Sequence, residues 1–214
     1  MHNCERVASA GFSAVPEGHL ATIVTSLEMF SLQDISRSGL PEGVALCGID
    51  GTDLARYRKL YRRVGEEWLW FSRLVMDDRE LAAILNDSEV EIYALREDGE
   101  DIGILELDFR VPGECELAFF GLAPHVTGKG LGRDLMNMAI TLAWSRPINR
   151  FWVHTCTLDH PAALSFYIRS GFRPYARHIE VAADPRLTGH IEEDKALHVP
   201  LIAPTNHAAC VEQR

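Results

Sequence analysis

The chain has 214 residues, 47% of them apolar and 24% charged, which is enough to bury one sizeable core and too apolar for wholesale disorder. Its formal net charge is −10, from 31 acidic against 21 basic residues; that argues against nucleic acid as the main partner and favours cationic small molecules such as amines. Five scattered cysteines form no Cys-x-x-Cys pair, the nine histidines show no zinc-ligand spacing, and no apolar run nears membrane-spanning length, so the expectation is a cytoplasmic protein with no metal and no membrane partner.

Residues 1–18 read as a flexible lead-in. The β-branched run Leu20–Phe30 predicts a strand, Ser31–Gly43 a polar connection, and Val44–Ile49 a second strand. Asp53 stands where it would cap a helix whose apolar face carries Leu54, Tyr57, Leu60, Tyr61 and Val64, with Gly65 at its end. Arg56, Lys59, Arg62 and Arg63 fall on the other faces and read as solvated, with the acceptor pocket as the alternative. Trp68, Trp70 and Phe71 read as core packing, with a wall of the acceptor site as the alternative. A short helix follows around Asp78–Leu85.

After Asn86 the apolar pattern alternates. Val90–Leu95, Ile102–Val111 and Cys115–Leu122, joined by the turns Glu97–Asp101 and Pro112-Gly113, predict an antiparallel meander. Leu131, Leu135, Met138, Ala139 and Leu142 recur at helical spacing. A strand over Phe151–Leu158, a helix over Pro161–Ser170 stopped by Gly171, and a last strand over Arg177–Ala182 complete a single domain over residues 19–203. Residues 204–214 read as a flexible tail. The fold class is α/β in the α+β sense, a mixed and mostly antiparallel sheet flanked by helices.

The meander runs into the helix at Leu131 through Gly128, Gly130 and Gly132. Free N–H groups and the positive end of the helix dipole make such a glycine turn a cradle for a pyrophosphate. A nucleoside triphosphate loop would need Gly-Lys-Ser or Gly-Lys-Thr, but Lys129 is followed by Gly130. A dinucleotide fingerprint would need a βαβ unit and Gly-x-Gly-x-x-Gly. A ligand-free glycine connection stays open on the turn alone.

The turn with its proline resembles motif A of the GNAT acetyltransferase superfamily, with Pro124, Thr127, Gly130 and Gly132 in register and Thr127 where Gln or Arg is usual. The stretch from Asp159 to Phe172 resembles motif B of that superfamily through Ala163, Tyr167, Gly171 and Phe172, with His160 where Asn is common. The resemblance is most specific over Cys115–Phe172. It implies an N-acetyltransferase that uses acetyl-CoA as donor and a primary amine of a small molecule or peptide as acceptor, with a catalytically idle acyl-CoA sensor or scaffold as the alternative. It implies cofactor contacts from Phe120, Leu122, Ala123, Thr127, Gly128, Lys129, Gly130, Leu131, Gly132, Arg133, His160, Ala163 and Tyr167.

Acyl transfer needs a base for the amine, a donor to the developing oxyanion, and a proton for the leaving thiolate. By resemblance, the Leu122 N–H is the oxyanion donor and Tyr167 the acid. Glu116 is the expected base, because simple strand alternation puts it in phase with Ala118, Phe120 and Leu122. Glu106, Asp108 and His154 compete with it, and the face that Glu106 and Asp108 share stays open. The leading strand and the end segment are candidates for a homodimer contact.

Overall fold

A computed structural model of the protein describes residues 10–32 and 39–205. The readings of residues 1–9 as flexible lead-in and 206–214 as flexible tail lie outside the described residues, as does part of the Ser31–Gly43 connection.

Among the described residues, seven strands form one mixed sheet: β1 (His19–Met29), β2 (Val44–Gly48), β3 (Val90–Glu97), β4 (Glu100–Asp108), β5 (Glu114–Leu122), β6 (Arg150–Cys156) and β7 (Arg173–Ala183). Helices α1 (Leu54–Gly65), α2 (Asp78–Leu85), α3 (Leu131–Ala143) and α4 (Ala163–Arg169) flank it. The strand order is β2-β3-β4-β5-β6-β1-β7. The meander β3-β4-β5 is antiparallel as expected, and β5 and β6 form the one parallel pair. The leading strand β1 lies between β6 and β7, antiparallel to both. Burial drives that insertion: Leu27 and Met29 enter the core opposite Val153 and Phe151.

Each face of the sheet closes its own core. Leu105, Leu107, Leu117 and Phe151 pack with Leu135 and Ala139 of α3 and Tyr167 of α4. Ile92 and Ile104 pack on the other face with Tyr57, Tyr61 and Val64 of α1 and Leu81 of α2.

Asp53 does cap α1, accepting from the Arg56 N–H at 3.0 Å. The helix's basic residues are less free than a solvated face implies. Arg56 bonds Asp101, Arg58 bonds Asp78, and Arg62 donates to the His190 carbonyl at 2.7 Å. Gly65 is required by packing, since a Cβ there would sit 2.4 Å from the Trp70 ring.

β7 begins four residues before the sequence suggests. Pro174 reads as a strand breaker, yet a missing N–H is tolerated on the outermost strand. Beyond β7 the chain straps back over α1. Ile191 and Ala196 join the α1 core, and Arg186 is buried in a bidentate pair with Asp184 while donating to the carbonyls of Lys195, Ala196 and Val199.

Candidate active site

β5 and β6 pair over three positions only, Glu114↔Arg150, Cys115↔Phe151 and Glu116↔Trp152, and then part. The cause lies in β5. Glu106 faces Phe119 whereas Leu107 faces Leu117, so Ala118 is an extra residue and the strand bulges. A bulge bends its strand and raises the local twist. The gap so opened is a cleft of about 1420 Å³ that runs through the sheet.

The bulge corrects the phase expected of Glu116. Glu116 pairs with Asp108 and Phe119 with Glu106, so all four share the α1 face. Phe120 and Leu122 pair with Leu105 and Gly103, and they share the opposite face, toward α3 and α4. Glu116 still lines the cleft, from the side opposite Phe120 and Leu122.

The same register orients the backbone. The Ala123 N–H donates to the Ile102 carbonyl at 2.8 Å. Alternation along an antiparallel ladder then gives Phe119 and Gly121 their hydrogen bonds to β4, and turns the N–H and C=O of Phe120 and Leu122 toward the cleft.

At one end of the cleft lies the glycine turn. Gly128 and Gly130 have φ of +86° and +89°, and no atom lies within 4 Å of a Cβ built on either. Gly130 is the N-cap of α3, whose first N–H groups open onto the turn. Thr127, in place of a long polar side chain, turns its hydroxyl back to the Ala123 carbonyl at 3.4 Å. Gly132 and Arg133 line the cleft as well. Ala123 and Leu131 are buried in the core, and the Lys129 side chain is exposed outside the cleft lining.

Tyr167 and Ala163 of α4 line the cleft beside Phe120, with the tyrosine and Phe120 ring centroids 6.3 Å apart. Tyr167 is buried, and burial pushes its phenol well above the ordinary value. His160 Nδ1 accepts from the Ala162 N–H at 3.1 Å, and its ring meets Trp68 at 5.1 Å on the cleft wall.

The α1 side of the cleft holds the titratable groups. His154 Nδ1 lies 3.3 Å from Glu116 Oε1, and this hydrogen bond raises the imidazole above its ordinary value against the opposing effect of burial. Asp108 is tied to Arg110; burial would raise its carboxyl, but the Arg110 hydrogen bonds outweigh that and hold it low. Glu106 is fully buried, accepting from the Tyr57 hydroxyl at 2.6 Å and from Arg73. Both of its oxygens are engaged, and unlike Glu116, Asp108 and His154 it does not line the cleft.

Asp159 accepts from Trp70 Nε1 at 2.9 Å, Thr155 Oγ1 at 2.7 Å and the Cys156 N–H at 2.8 Å. The Trp70 bond spans the cleft from the α1 side to the end of β6. Trp70 and Phe71 pack on the core, and Trp68, Trp70 and Phe71 all line the cleft. Arg73, Asp159 and Glu180, all lining the cleft, are absent from the sequence expectations. No local motif marks them, since they come from three unrelated segments.

Among the described residues no group of three or more His, Cys, Asp or Glu could hold a metal ion, and no helix is long and apolar enough to cross a membrane. The acetyltransferase (GNAT) family model matches residues 56–172, more than half of the chain, and the protein belongs to that family. No curated protein matches it. Among solved structures it is similar to a GCN5-related N-acetyltransferase from Sphaerobacter thermophilus (TM-score 0.58, 14% identity, 77% of this chain and 53% of that one). It is also similar to one from Kribbella flavida (0.52, 17%, 80% and 63%) and to a functionally unknown conserved protein from Staphylococcus epidermidis (0.52, 13%, 78% and 64%). At these identities the likeness concerns the fold, and the chain spans between about half and two thirds of the length of those structures.

Proposed function

We propose that the protein transfers an acetyl group from acetyl-CoA to a primary amine. The observation that carries this reading is the coincidence, in one cleft, of an open glycine turn, two inward-facing backbone positions on a parted strand, and the Glu116–His154 pair. The residues fit such a donor: Gly128 and Gly130 leave room for an anion at the start of α3, and Phe120 and Leu122 offer strand hydrogen bonds to an extended pantetheine amide.

Bound acetyl-CoA supplies an acyl carbon activated as a thioester. The first-turn N–H groups of α3 hold the pyrophosphate oxygens, and Arg133 adds positive charge beside them. The Leu122 N–H donates to the thioester carbonyl as negative charge develops on its oxygen. Glu116 and His154 take the proton from the acceptor ammonium, directly or through water, freeing the amine lone pair to attack. Tyr167, whose burial keeps its proton on oxygen across the neutral range, donates to the departing sulfur.

The test is thiol release from acetyl-CoA with a panel of primary amines, run beside a CoA binding titration. Amine-dependent thiol release with stoichiometric acetylamine is the expected result. Tight CoA binding without turnover on any amine would instead support a sensor of acyl-CoA.

A further inference from the structure

The α1 side of the cleft is both aromatic and oddly charged. Tyr61, Trp70, Phe71 and Phe119 wall it, with Phe119 4.9 Å from Tyr61 and 5.4 Å from Trp70 between ring centroids. The bulge at Ala118 puts Phe119 on the same face as Glu116, so a flat apolar surface adjoins the carboxylate that receives the amine.

Two cations reach this side, and each is already neutralised. Arg73 is buried against Glu106, with its guanidinium 5.0 Å from the Phe119 ring centroid. Arg110 is held by both oxygens of Asp108. The remaining acids are in surplus. Glu116 and Glu180 share the half-exposed His154, which feels both carboxylates, and Asp159 is satisfied by three neutral donors. A carboxylate on the acceptor would meet these acids where each arginine is already paired with an acid, Arg73 with Glu106 and Arg110 with Asp108, at a like-charge cost. An ammonium on an aromatic body would meet carboxylates and ring faces.

We infer that the acceptor is an arylalkylamine without a carboxylate, gripped by the Trp70, Phe71 and Phe119 rings, which the buried Tyr61 ring backs, and drawn in by Glu116 and Glu180. The inference rests on the transfer reading above and narrows it to one substrate class.

Three probes separate its parts: phenethylamine, phenylalanine, which adds a carboxylate, and n-hexylamine, which removes the ring. kcat/KM is expected to be at least about tenfold higher for phenethylamine than for either other compound, a difference of roughly 1.4 kcal/mol. Glu180→Lys, an exposed strand position that leaves the core alone, should lower the phenethylamine value and raise that of phenylalanine. The same ranking is expected in the Tm shifts of CoA-loaded protein. Turnover with phenylalanine or hexylamine equal to or above phenethylamine would overturn the inference and leave acetyl transfer standing. The expected binding ranking without turnover would overturn the transfer reading and with it the acceptor role, leaving the arylalkylamine only as a bound ligand of this side. No binding and no turnover with any of the three would overturn the inference.

Discussion

Glu116 sets the proton affinity of His154 through a 3.3 Å contact. Because the pair raises His154 above its ordinary value near 6.5, its contribution to stability is complete below that value and disappears as pH rises through the folded one. Turnover runs the other way, since a protonated imidazole accepts nothing. Glu116→Gln should therefore move the acidic limb of the kcat/KM–pH profile to lower pH while reducing kcat; an unmoved limb would separate His154 from proton removal. Tyr167 has a cleaner test. The residue belongs to the α4 core and also lines the cleft, and no hydrogen bond to its hydroxyl is made among the described residues. Tyr167→Phe should cut kcat by about 10- to 100-fold and leave the CoA dissociation constant unchanged, as measured by calorimetry. Wild-type turnover in that variant would take the phenol out of the reaction.

At the scale of elements, the strand most informative for function is the one that local sequence misleads about. Cys115 to Leu122 looks like regular alternation, and nothing in those residues announces that Ala118 is skipped. The bulge is a property of the β4–β5 pair, visible only once Glu106 is opposite Phe119. The glycine turn and the Tyr167 helix were legible because their chemistry is local: positive φ, a free helix start, a single apolar face. Gly65 was legible as the end of α1, and Gly121 only as a glycine, but the packing that demands glycine at both was not. Their reason is Trp70, which each meets at a distance no Cβ allows or barely allows, and Gly121 also abuts Val64, 2.5 Å from its would-be Cβ. Gly121→Ala should overpack that seat and destabilise the fold by about 1–3 kcal/mol, read by urea denaturation. If Trp70 shifts to make room, its bond to Asp159 should loosen, with a higher KM for the acceptor.

For the whole molecule, the expected fold class was right and its wiring was not legible. Adjacency of β1 to β6 and β7 joins segments more than a hundred residues apart, and no local pattern encodes such a pairing. The strap after β7 falls inside the expected domain but carries no predicted strand or helix, because its anchors are polar. Asp184 and Arg186 form a buried pair that gathers the carbonyls of Lys195, Ala196 and Val199. Arg186→Ala leaves Asp184 buried without its partner and should cost about 3–5 kcal/mol. At roughly 2–4 °C per kcal/mol for a chain of this size, calorimetry should record a clear fall in Tm. An unchanged Tm would show the strap to be held by its apolar contacts alone.

Because β5 and β6 part within the sheet, the molecule has a hole through its middle layer, with the glycine turn and Tyr167 on one face and Glu116 with the aromatic wall on the other. On the proposed reading, two reactants occupy that passage together, each from its own side, and neither needs to leave before the other arrives. Burial raises the thiol of Cys156, which lines the passage, above its ordinary value and so disfavours the thiolate that would carry an acyl group instead. Initial rates measured against both substrates should accordingly give intersecting double-reciprocal lines, as direct transfer within a ternary complex demands. Parallel lines would mean that the protein takes the acyl group itself, and that the two sides are used in turn.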